Sequence, residues 1–109
     1  MKIETYCHGK YQIMKIHDEK SNISDLSELR DLISGYLQRG KTSIAVSFCD
    51  ASYIYSGAIS VLVDCYKKIR DKKGSLCILE PNPRLFDILE TLNIDRVINI
   101  YVSEQYLPQ

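Results

Sequence analysis

The sequence predicts an α/β fold: a mixed, mostly parallel sheet of about five short strands, begun by an N-terminal hairpin and packed with three to four helices. Three observations predict it. Two apolar runs, 42–48 and 76–79, show little polar alternation, the pattern of strands covered on both faces. Three stretches with helical spacing of apolar residues lie between the strand-like runs. A short gap, His8-Gly9-Lys10, separates two β-prone runs at the start. Alternating strands and helices imply parallel pairing through right-handed crossovers, and loops at the carboxyl ends of such strands are where sites form.

In chain order, 2–6 and 11–16 are the two arms of the hairpin, and 18–22 is a polar loop. Asn22, Ser24 and Asp25 are N-cap candidates for a helix whose stripe is Leu26, Leu29, Ile33, Tyr36 and Leu37. Gly40 ends that helix, with Arg39 in its last turn. The strand 42–48 follows, then a polar loop, then a long helix over 56–73. Ala58, Val61, Leu62, Cys65 and Ile69 form its main stripe, and Ile59, Val63 and Tyr66 a second beside it. So wide an apolar arc suggests a helix touched on more than one side. Gly74 closes it before the strand 76–79. Asn82 then caps a third helix with Pro83 at its first position and Leu85, Ile88, Leu89 and Leu92 on its stripe. Asn93 ends that helix, 97–101 reads as a last strand, and Ser103-Glu104 as the start of a short terminal helix.

With 109 residues, one domain over 1–109 is the expected count, enough to bury a core without staples. Lys+Arg and Asp+Glu are 14 each, so net charge does not steer the molecule toward nucleic acid or an anionic membrane. No apolar run is long enough to span a bilayer and no signal pattern opens the chain, which predicts a cytoplasmic protein with no direct membrane insertion. Cys7, Cys49, Cys65 and Cys77 form no C-x-x-C pair, and neither His8 nor His17 stands at a ligand spacing from them, so no metal and no cofactor is expected. Cys49, Cys65 and Cys77 read as small buried apolar residues. The basic run 67–73 falls in the last turns of its helix, where cations complement the negative helix end, and reads as a solvated face.

The chemistry gathers at the joint between the strand 42–48 and the long helix, where Tyr55-Ser56-Gly57 runs directly into helical spacing. The first N–H groups of a helix have no internal partner, so a hydroxyl there sits where an anion is favoured. Ser56 reads either as a plain N-cap or as an acceptor for phosphate, with Ser60 one turn further on as a weaker acceptor. Gly57 reads as a small residue allowing close approach. Tyr53 and Tyr55, in the loop, read as aromatic anchors for a protein partner or as side chains folded back on the core. Asp50 reads as a loop cap or a partner contact. Cys49 at a strand end has no His, Lys or Arg near it in sequence to activate it, and no paired carboxylates converge there, so an enzyme is not expected.

These residues resemble the STAS domain of bacterial anti-sigma factor antagonists over nearly the whole chain. The family's centre reads Phe-Ile-Asp-Ser-Ser-Gly, then Leu-Gly-Val-Leu and a helix with Tyr-Lys. Here the equivalent is Tyr53-Ile54-Tyr55-Ser56-Gly57-Ala58, then Ile59-Ser60-Val61-Leu62 and Tyr66-Lys67. Gly74, Leu76-Cys77-Ile78-Leu79 and Pro81-Asn82-Pro83 are similar to the family's Gly, strand and Asn-Pro-x-Pro passage. The stretch from Leu89 to Val97 is similar to its Leu-Glu-x-x-Gly-Leu-Asp passage. Two family aspartates fall on Ser47 and Tyr55, and the serine that a partner kinase phosphorylates falls on Gly57, leaving Ser56.

The resemblance implies a regulatory protein-binding module without catalysis of its own. It would be an anti-sigma factor antagonist that binds an anti-sigma factor or serine kinase in a partner-switching system, under serine phosphorylation, with a serine phosphatase as a further partner. Its contact surface would be Asp50, Tyr53, Tyr55, Ser56, Gly57 and Ser60. Similar STAS domains also serve as small cytosolic subunits of lipid-transport ATPase assemblies, which is the alternative expectation.

Overall fold

The chain begins as two paired strands whose turn is set by one glycine. The structure, a computed structural model, describes residues 2–17, 22–48, 51–79 and 81–108. Strands β1 (Lys2–His8) and β2 (Tyr11–His17) pair antiparallel, and Gly9 between them takes φ +59°, a backbone region that favours glycine. From β2 onward the main sheet is parallel. β2 pairs with β4 (Ser43–Ser47), β4 with β6 (Ser75–Leu79) and β6 with β7 (Asn99–Tyr101), in the spatial order β1-β2-β4-β6-β7. Five strands, mixed but mostly parallel, with an N-terminal hairpin and three α-helices, is the architecture expected from the sequence.

Helices α1 (Ser27–Gln38), α2 (Ser56–Asp71) and α3 (Pro83–Thr91) connect these strands. Their buried residues pack with Met14, Ile16, Ile44, Val46, Leu76 and Ile78 into one large core on one face of the sheet. On α2 the buried line is Ala58, Leu62, Cys65 and Ile69, while Ile59, Val63 and Tyr66 are half-buried beside it, as the double stripe predicts. The sheet's other face is covered differently. Tyr11, Ile13, Ala45, Cys77 and Leu79 lie there under Leu107 of the C-terminal tail. That tail makes a single 3-10 turn, Glu104–Tyr106, and the Glu104 carboxylate accepts the Tyr6 hydroxyl proton and lies 3.4 Å from His8 Nδ1. A continuous apolar run thus marks strands dry on both faces, without requiring helices on both.

Several boundaries differ from expectation for identifiable reasons. Two short strands, β3 (Asn22–Ile23) and β5 (Tyr53–Ile54), pair parallel in a separate two-stranded sheet that sequence reading leaves as loop. The α1 N-cap position is Leu26, without a side-chain cap, but Asp25 Oδ1 accepts the Ser27 N–H at 2.9 Å and its Oγ–H at 2.6 Å. These bonds hold the Asp25 carboxyl below its ordinary range. The last strand begins at Asn99 rather than 97, because Ile94–Arg96 forms a 3-10 turn after Asn93, which ends α3 at φ +60°.

Gly74 does not close α2 by torsion. The left-handed residue there is Lys73, at φ +60°, whose N–H reaches Arg70 O at 2.8 Å while the Gly74 N–H reaches Ile69 O at 2.9 Å. Gly74 is needed because a Cβ on it would collide with the Thr42 carbonyl. Gly40, by contrast, is the left-handed residue ending α1, at φ +79°.

Candidate functional site

Of the residues singled out in sequence, Tyr53, Tyr55, Ser56, Gly57 and Ser60 lie at the carboxyl edge of the sheet, and the small β3–β5 sheet places them. Ile23 and Ile54 point into the core, both essentially inaccessible to solvent. Because side chains alternate along a strand, burying Ile54 turns Tyr53 and Tyr55 outward. Their rings meet edge to face with centroids 4.8 Å apart, and they are 45% and 46% exposed. The Tyr55 N–H donates to Ile23 O at 2.9 Å, so the residue before α2 is fixed by backbone pairing. Tyr55, in an extended conformation with φ −82° and ψ 157°, is the N-cap of α2 and supplies no side-chain cap.

Ser56 is therefore the first helical residue and not the N-cap, which removes the plain-cap role considered for it. It is exposed, and its carbonyl accepts the Ser60 hydroxyl at 3.1 Å, one turn on. Gly57 is exposed, and a Cβ there would lie 3.9 Å from the Ser24 carbonyl oxygen, an ordinary contact. Among the described residues no close approach requires the glycine. Asp50 and Cys49 lie outside the described residues. Ser47 is buried at 2% exposure and shares the sheet face of Ala45 by alternation, opposite the helices.

Sequence reading missed the groove beside these residues. Ser56, Ile59 and Ile54 on one side, and Ile88 and Leu92 of α3 and the turn after it on the other, line an opening of about 380 Å³. Tyr53 and Ile88 also line a second cleft, together with Tyr55, Asn22 and Arg84. Asp87 also lines the groove. Leu92, the last residue of the α3 stripe, is 48% exposed. The available signal was the second apolar stripe of α2, beginning at Ile59, which needs an occupant on its far side.

The buried thiols are pushed away from reactivity: burial raises Cys65 to about 11 and raises Cys77 as well. Among the described residues no group of three His, Cys, Asp or Glu side chains could hold a metal ion. No helix among them is long and apolar enough to cross a membrane.

An exposed serine thus stands at the first turn of α2, flanked by outward tyrosines and an apolar groove. Comparison with known proteins agrees with the architecture around it. A protein of Thermotoga maritima described as a candidate anti-sigma factor antagonist is 29% identical over 66 residues, covering 61% of this chain. A Thermotoga neapolitana homologue matches to the same extent. The chain spans 58% of the length of these curated relatives. The crystal structure of an anti-sigma factor antagonist candidate from Thermotoga maritima superimposes with a TM-score of 0.73 at 21% identity, covering 94% of this chain and 88% of that one. The Bacillus cell-fate determinant SpoIIAA in its phosphorylated form gives 0.70 at 13% identity, covering 95% of each chain. At such identities these two likenesses speak to the fold alone. The STAS-domain family profile matches residues 15–107, nearly the whole chain, and the chain belongs to the STAS domain family.

Proposed function

We propose that this chain, as one STAS unit over 1–109, is a non-catalytic cytoplasmic adaptor that acts as an anti-sigma factor antagonist. The observation that carries this is the pairing of outward Tyr53 and Tyr55 with an apolar groove along exposed Leu92, directly at Ser56. Large aromatic side chains held rigidly beside a pocket are the usual anchors of protein interfaces. The partner is an anti-sigma factor or serine kinase, and a serine phosphatase reverses its modification. Contacts come from Tyr53, Tyr55, Ser56, Gly57 and Ser60, with Asp50 in the adjoining segment. Phosphate on Ser56 adds about −1.5 to −2 charges at the rim of that groove, where Asp87 already stands, and disfavours an apolar docking partner. The helix start itself favours the dianion by about 0.3–1 kcal/mol.

The test is co-expression with the anti-sigma kinase encoded nearest to the gene, followed by intact mass and pull-down. The expected result is complex formation, one added phosphate on the wild type, none on Ser56→Ala, and loss of the complex for Leu92→Glu. Unchanged phosphate uptake in Ser56→Ala would remove the Ser56 role; an intact complex with Leu92→Glu would remove the groove. Gly57, where the family places its acceptor serine, favours a second reading in which binding is independent of phosphate. In that reading the chain is a small subunit of a lipid-transport ATPase assembly, and it co-purifies with an ATPase and never gains mass.

A further inference from the structure

The opposite edge of the sheet holds a second recess that the proposed adaptor role does not use. Parallel pairing brings the turn after β1 and the turn after α1 to the same end of the sheet. Between them lies a cavity of about 320 Å³. Its floor includes Gln12 and Tyr11, which are 6% and 3% exposed. Its walls carry Lys10 and Lys41, with Thr42 and Ser43 beside them, and no lining residue is acidic.

The polar groups are built in, not merely present. The Gln12 amide donates to Tyr6 O at 3.2 Å and its oxygen receives the Cys7 thiol at 3.4 Å, so the buried side chain is held in place. The two turns that bound the recess are the left-handed ones at Gly9 and Gly40, and a Cβ on either would meet nothing within 4 Å. Lys41 follows α1, its backbone N–H donating to Tyr36 O at 2.9 Å, while the side chain that meets the helix end is Arg39, whose Nε donates to Gly35 O at 3.3 Å. Lys10 sits on the hairpin with its ammonium 5.7 Å from the Tyr11 ring centroid, and among the described residues neither lysine has a carboxylate partner. Two lysines and two hydroxyl side chains thus line one recess, a donor set that suits a compact anion with several oxygens.

We propose that this recess binds a phosphoryl group, with Lys10 and Lys41 as its charge partners. The site is far from Ser56 in the fold and independent of the adaptor reading. Inorganic phosphate, pyrophosphate and phosphatidylcholine vesicles with or without phosphatidic acid are the probes. The readouts are amide shifts of Gly9, Lys10, Gly40 and Lys41 and the alkylation rate of the exposed Cys7, followed by peptide mass. Saturable shifts at these four amides with slowed Cys7 alkylation are expected, and affinity falls about tenfold for Lys10→Gln or Lys41→Gln. Response to the soluble anions assigns a free phosphate, and response only to phosphatidic acid assigns a lipid headgroup; either supports the site. Shifts that do not saturate, shifts equally large at the exposed Lys67 and Lys68, or a Lys10→Gln/Lys41→Gln double variant that binds as the wild type does would overturn it.

Discussion

The starts of α2 and α3 solve the same problem in opposite ways. At α3, Asn82 Oδ1 accepts the Leu85 N–H at 3.0 Å and Pro83 occupies the first helical position, where its missing N–H costs nothing. At α2 the N-cap is Tyr55, whose side chain turns away to meet Tyr53, and among the described residues no side chain caps the first turn. One helix start is closed by its own chain; the other leaves its donors and its positive end to whatever arrives. The difference teaches that the α2 start is placed by strand pairing instead of by capping. The β3–β5 contact holds it, so the cap position is free to carry an aromatic ring.

Ways to break or sharpen this contrast follow from the parts. The largest effect belongs to Ile54, which anchors β5 under the α2 start. Ile54→Ala should cost about 2–5 kcal/mol by chemical denaturation, and it should speed hydrogen exchange at the Tyr55 amide, whose acceptor lies in β3. Exchange at Tyr55 that matches the wild type would mean that β3–β5 pairing does not hold the site. Next comes a reciprocal pair. Asn82→Ala should lose about 1 kcal/mol and lower Tm by roughly 3–8 °C, whereas Tyr55→Ser should gain up to about 1 kcal/mol by closing the open start. If Tyr55→Ser instead destabilises, the aromatic pair matters more to folding than the vacant cap. The smallest effect is at α1, where the Asp25 carboxylate takes both Ser27 donors. Its folded pKa lies below its ordinary 3.8, so its contribution is present in full above that value and fades as pH falls through the lower folded value. The stability difference between wild type and Asp25→Ala should therefore vanish in strong acid and persist at neutral pH.

Much of the fold was legible because it rests on long periodic segments. The α1, α2 and α3 stripes, the hairpin glycine, the Asn82-Pro83 start and the left-handed Asn93 all stand where spacing and residue chemistry place them. The two-residue strands β3 and β5 were not legible, since a pair of residues has no period to read. That miss shifted the site: with Tyr53–Ile54 read as loop, Ser56 reads as a cap, although backbone pairing at Tyr55 moves the cap one residue earlier. Leu92 shares the α3 stripe yet is half exposed, because stripe spacing reports which face is apolar, but not how far along the helix its neighbours extend. The back face of the sheet posed a similar difficulty. A dry strand looks the same from its sequence whether a helix or Leu107 of a tail excludes the water.

The corner where Gly74 meets Thr42 ranks two demands that fall on adjacent positions. Torsion asks for glycine at 73, and sterics ask for it at 74. The chain satisfies the collision and lets lysine bear the unfavourable rotation, because a carbonyl oxygen in the way admits no partial answer whereas a left-handed lysine is only strained. An engineer tightening this protein would find that corner half open: Lys73 accepts asparagine or glycine with relief, and its neighbour accepts no exchange at all.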